Sequence, residues 1–261
     1  MLRQGRWLLL PALLALALLA PAQPAANSRP GRLTAREIIT RLQERNRVRE
    51  ALLEAYSVRR FYRVANELFG KRSEIEVEMV FHSPDQLAFR IRRQSGSGFL
   101  ARRVLRRLMA AEKDALTPEN KRRSALTKEN YEFTLLGQEL LDKRWCYVLG
   151  VKPKRRDTYL MEGRIWIDAE DFATVRAAGK PSKRPSFWTR KIEFVRGYRK
   201  VGPFWLPDRV ESVTEVLLFG QSTLAMESGD YRIRLRPPAP QPPSNNFLPW
   251  PLGLRHNRSI L

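Results

Sequence analysis

Apolar residues recur along the chain with two different periods. Ile38, Ile39, Leu42, Leu52 and Leu53 fall on one stripe of a 3.6-residue repeat, with Arg and Glu elsewhere. Thr34 opens that segment, Glu37 completes a capping box three residues on, and Leu33 can staple onto Ile38. A helix over about 35–54 is predicted. From Tyr56 the period drops to two. Within Ser73–Phe81, Ile75, Val77, Met79 and Phe81 share one face while Glu74, Glu76 and Glu78 share the other, as in a half-buried strand. Ser83-Pro84-Asp85 makes a turn. Leu87, Phe89 and Ile91 then line a second strand opposite Arg90 and Arg92, giving a hairpin with one apolar and one charged side.

Gly96-Ser97-Gly98 interrupts the alternation, and Phe99–Glu112 returns to a helical stripe of Leu100, Val104, Leu105, Leu108 and Met109. Arg102, Arg103, Arg106 and Arg107 flank it. After a polar stretch with Pro118, strands are predicted at Glu132–Leu136, Trp145–Val151, Tyr159–Asp168, Thr174–Ala177, Trp188–Tyr198, Phe204–Val216 and Leu224–Leu235. Short connections force consecutive strands to pair antiparallel. About nine to eleven strands and two helices predict an α+β fold, a single large curved antiparallel sheet with helices packed on one face. No internal repeat is evident. Seven prolines between Pro237 and Pro251 predict an extended, poorly ordered tail over 237–261.

The chain start changes the expected compartment. Arg3 and Arg6 precede an apolar run from Trp7 to Ala20, and Ala20-Pro21-Ala22 supplies small residues for cleavage before Gln23, so 1–22 reads as a secretory leader. The run is shorter than the roughly 20 residues of a spanning helix. No Cys stands near the cleavage point, so lipidation is not expected, and the mature chain, from residue 23, is expected to be soluble in the periplasm. The formal charge is +21, of which Arg3 and Arg6 contribute two, leaving +19 on the mature chain. Such an excess attracts polyanions. Outside the cytoplasm these are anionic lipid headgroups and wall polymers, so an anionic envelope surface, not nucleic acid, is the expected contact. The lone Cys146 can form no internal disulfide and reads as a small buried filler.

Chemistry-bearing patterns are sparse. His82 and His256 are the only histidines, and with one Cys they complete no metal-ligand spacing. Asp168, Glu170 and Asp171 share a turn, where acids serve hydrogen bonding more often than acid–base work or Ca²⁺ binding. No nucleophile elbow or phosphate-binding Gly loop is present. No catalytic residue, metal or cofactor is expected. Aromatic residues are spread over successive strands: Trp145, Tyr147, Tyr159, Trp166, Phe187, Trp188, Phe194, Tyr198, Phe204 and Trp205. They suit a packed core or an apolar hollow under a bent sheet, where an alkyl chain gains about 0.8 kcal/mol per buried CH₂. Basic clusters at 102–107, 121–123, 152–156 and 180–191 read as solvated faces or as docking points for a negative surface.

In their order, the leader, the amino-terminal helix, Met79-Val-Phe-His-Ser-Pro-Asp-Gln-Leu-Ala-Phe89, Tyr131-Glu-Phe-Thr-Leu-Leu-Gly137, Cys146-Tyr-Val-Leu149, Glu162-Gly-Arg-Ile-Trp-Ile-Asp168 and Lys200-Val-Gly-Pro-Phe-Trp-Leu-Pro207 resemble the LolA-type family of outer-membrane lipoprotein-sorting proteins. The resemblance spans about 34–235, within a domain over 23–236. It implies an incomplete barrel whose helices form a lid over the concave face and an apolar cavity. It also implies a monomeric, non-enzymatic carrier that shields the acyl chains of a lipoprotein or lipid. Leu87 and Phe89 match apolar positions after the hairpin proline, but Ser83 stands where the family often has a lid-latching Arg. The cavity lining expected on this basis is Ile75, Val77, Met79, Phe81, Leu87, Phe89, Trp145, Tyr147, Trp166 and Phe194. The alternatives are an envelope-stress sensor or wall-binding module of the same fold, and a hydrolase acting at the 168–171 turn.

Overall fold

The computed structural model describes residues 29–184, 189–217 and 220–237, without the side chains of Leu100, Arg103, Val104 and Thr189. The leader at 1–22, Phe187, Trp188, the tail from Pro238 and His256 lie outside the described residues. Helix α1 (Ala35–Leu52) starts at the predicted capping box, with the Thr34 side chain accepting from the Glu37 amide and Glu37 accepting from the Thr34 amide. It ends two residues earlier than the periodicity suggests. Leu53 already has extended geometry and opens β1 (Leu53–Asn66), because the run Tyr56-Ser-Val58 favours a strand.

The remaining elements are β2 (Lys71–His82), β3 (Gln86–Gly96), α2 (Gly98–Ala115), α3 (Pro118–Ser124), β4 (Tyr131–Leu141), β5 (Arg144–Pro153), β6 (Met161–Asp168), β7 (Thr174–Pro181), β8 (Thr189–Val201), β9 (Phe204–Val216) and β10 (Gly220–Leu235). The third helix, absent from the sequence expectation, has seven residues, too few to show a period. Its start signal is nevertheless present: Thr117 caps it and Pro118 stands in the first turn.

All ten strands form one antiparallel sheet in the order β3-β2-β1-β10-β9-β8-β7-β6-β5-β4. The sheet is curved and does not close into a barrel. Its two edges, β3 and β4, are consecutive in the chain and are joined by α2 and α3. Gly163 pairs with Gly179, and a Cβ on either would lie 2.1–2.2 Å from a carbonyl oxygen across the ladder, so only glycine permits this close approach.

Register shows that both long helices cover the same face, because directly paired residues share a face. One row runs Leu149, Ile165, Ala177, Arg196, Val210, Met226, Tyr62, Ile75 across eight strands. At one end Ile38, Ile39 and Leu42 of α1 pack on Tyr147, Leu149, Val151, Ile165, Ile167 and Ala177. At the other, Ala101 and Leu105 of α2 pack on Tyr62, Ile75, Val77 and Met226, with Phe89, Leu108 and Met109 around them.

Candidate functional site

The two cores leave a strip between them. The inward positions of β8, Ile192, Phe194, Arg196 and Tyr198, belong to neither cluster, and Arg196 is exposed although it stands in the inner row. The row beside it reads Gly163, Gly179, Phe194, Ser212, Leu224, so the half-buried Phe194 ring adjoins two positions that carry no side chain. This strip between the α1 half and the α2 half is the candidate binding cleft.

Its α2 side carries charge where the rest of the inner face is apolar. Along β1, Tyr56, Val58, Arg60, Tyr62 and Val64 alternate inward, pairing with Phe81, Met79, Val77, Ile75 and Ser73. Arg60 is 4% exposed. It is held by Glu112, whose two carboxylate oxygens accept from Nη1 at 2.6 and 2.7 Å. Glu112 ends the inward stripe of α2 formed by Ala101, Leu105, Leu108 and Met109. Burial opposes the Arg60 charge most strongly, but Glu112 together with Tyr62 and Tyr56 outweighs it and raises the pKa. Burial pushes Tyr56 up to about 12 and raises Tyr62 and Tyr231 as well, so all three hydroxyls stay neutral. Tyr56 lies between Phe81 and Tyr231, with ring centroids at 5.2 and 5.8 Å. Arg199 stacks on Tyr231 and pairs with Asp208 at 3.2 Å.

The residues expected from sequence to line a cavity divide into three groups. Ile75, Val77, Met79, Phe81, Leu87 and Phe89 share the inner face under α2, but the first three are at most 2% exposed and already covered. Tyr147 lies inward in the α1 core, and Trp145, half-buried and of the same parity, meets the Arg29 guanidinium. Phe194 lies in the cleft. Trp166 does not join them. It packs with Cys146, Val148 and Val175 on the outer face, while its neighbours Ile165 and Ile167 point inward, so strand alternation places it on the wrong side for an inner cavity. Its indole N–H donates to Glu139 at 2.7 Å.

Other expected sites have structural partners. Arg144 binds Asp168, Glu170 and Asp171, Asp168 also accepts from the amides of residues 170 and 171, and Lys200 and Trp205 hold Asp171. The acidic turn is thus bound up by cations and amides. Cys146 is fully buried, and burial, then Asp168, pushes its thiol up to about 12. At the β2–β3 turn, Lys121 of α3 donates to the Pro84 carbonyl and Arg236 to Ser83. The tie between helix and turn therefore comes from the helix side. Among the described residues no group of His, Cys, Asp and Glu could hold a metal ion, and no helix is long and apolar enough to cross a membrane.

No family model and no curated protein matches this chain. Solved structures do match at low identity. A DUF1329 family protein from Desulfovibrio piger is 12% identical over 79% of this chain and 94% of its own, with a TM-score of 0.37. A LolA superfamily protein from Nitrosomonas europaea is 13% identical over 79% and 96%, with a TM-score of 0.34. The MucA/MucB complex of Pseudomonas aeruginosa matches at 12% over 74% and 93%, with a TM-score of 0.28. The LolA-type likeness drawn from sequence thus recurs among solved structures, at low identity.

Proposed function

We propose that this chain is an envelope carrier that holds the acyl chains of a lipoprotein or lipid in the cleft between its two helix-covered halves. The observation that carries this reading is the uncovered strip along β8. An apolar floor around Phe194, flanked by two greasy clusters, offers an alkyl chain the burial that neither helix takes up. Binding is non-covalent and needs no cofactor. The outer face of α2 suits approach to an anionic membrane: Arg102, Arg106 and Arg107 stand exposed beside Phe99, and each cation near such a surface adds about 1 kcal/mol.

The test is native mass spectrometry of protein purified from membrane-containing cells. Phe194→Asp is expected to abolish co-purified lipid, while Val213→Asp, on the outer face of the neighbouring strand, leaves it unchanged. Equal lipid loss in both variants, or no lipid on the unaltered chain, overturns the reading. A second reading, a protein-binding envelope sensor without lipid transfer, is favoured by the edge strand β4, where Leu136 and Leu140 are 55% and 51% exposed.

A further inference from the structure

The charges at the cleft do not balance. Arg60 is paired with Glu112, and Arg196 stands within electrostatic range of both, repelled by Arg60 and attracted by Glu112, so two guanidinium groups share one carboxylate. Tyr62 accepts from Arg60 Nη1 at 3.5 Å and Tyr198 hydrogen-bonds Arg196, but neither adds a carboxylate to the cluster. Glu112 occupies Nη1 of Arg60, whereas the buried Nε has no hydrogen-bond partner. An unsatisfied N–H on a buried cation is costly, and a buried net charge more so, unless something completes it. Arg196 interrupts an otherwise apolar row, and its hydrogen-bond partner there is Tyr198 and not a carboxylate. Arg199, by contrast, is matched by Asp208.

We infer that the cleft selects an anionic amphiphile, whose alkyl chain lies on the apolar floor while one carboxylate or phosphate group bridges Arg196 and the free Nε of Arg60. The inference rests on the carrier reading and narrows its ligand. A neutral amphiphile fills the same apolar space but leaves the Arg60 Nε–H unsatisfied and the excess positive charge uncompensated. Discrimination therefore comes from charge-assisted hydrogen bonds and not from chain burial.

The test compares direct fluorescence binding of parinaric acid with that of its uncharged methyl ester on the full chain. About tenfold tighter binding of the acid is expected. In Arg196→Gln, an exposed site whose loss leaves the cores intact, acid and ester are expected to bind within about twofold of each other, with ester affinity unchanged. Hexadecyl phosphate and palmitate, used as competitors, show whether phosphate or carboxylate is preferred. Ester binding equal to acid binding on the unaltered chain overturns the inference and leaves the carrier reading standing. So does an Arg196→Gln variant that keeps the full preference for acid. Failure of both probes to bind overturns the carrier reading itself.

Discussion

The two halves of the inner face are built from different materials. Under α1 the sheet contributes a continuous apolar surface: Tyr147, Leu149, Ile165 and Ile167 are at most 2% exposed, and three helix residues complete the packing. Under α2 the core is smaller, is rimmed by partly buried Phe89, Leu108 and Met109, and includes the charged pair Arg60–Glu112. The α1 helix is anchored at both ends, by its capping box and by Arg49 reaching the carbonyls of Asp171, Phe172 and Pro203. The α1 half is a fixed frame. The α2 half is a cover on a smaller core.

The largest expected effect tests that contrast. Leu149→Ala in the frame should cost about 2–5 kcal/mol in chemical denaturation, whereas Leu105→Ala beneath the cover should fall at the low end of that range because the site can collapse. Equal costs would erase the distinction. Glu112→Ala comes next. A fully buried pair broken from one side loses about 3–5 kcal/mol, and because Glu112 keeps a third of its side chain in water the loss should be about 2–3 kcal/mol. Faster amide exchange confined to α2 in this variant would confirm the pair as the clasp of the cover.

The smallest effect is pH-dependent and belongs to the frame. Burial opposes the Asp157 charge, but the Tyr159 amide and Arg123 hold its pKa below the usual carboxylate value; Lys200 and Trp205 do the same for Asp171 against its own burial. Groups with lowered folded pKa values stabilise fully above about pH 4 and lose that contribution as pH falls through the folded values. Melting temperature should therefore drop with acid below about pH 4, and Asp157→Asn should flatten the slope.

Much of this arrangement was legible in the chain. Alternation in β2 and β3 placed Ile75 to Phe89 on one face, and the capping box located the start of α1. What period alone misses is which face a strand turns inward when both sides are apolar. Ile165-Trp166-Ile167 reads the same either way, and only the partner helix decides that Trp166 faces out. The cleft charges were hidden for a related reason. Arg59 and Arg60 are adjacent, so alternation turns one of them inward, but register against β2 and β10 is needed to say which. Arg196 sits between Phe194 and Tyr198 at the same parity, a signal present in the sequence but masked by the many surface arginines around it.

The pairing of β1 with β10 sets how this molecule can be assembled. Leu53 meets Leu235 across nearly the whole described chain, and the ladder between them is among the most extensive in the sheet. Loop-closure entropy for that contact must be spent before the contact repays it, so acquisition of native structure is expected to be slow for the chain's size. A chain cut short before its last strand would hold a three-stranded and a six-stranded piece linked only through α2 and α3, and each would expose a long raw edge to neighbouring molecules.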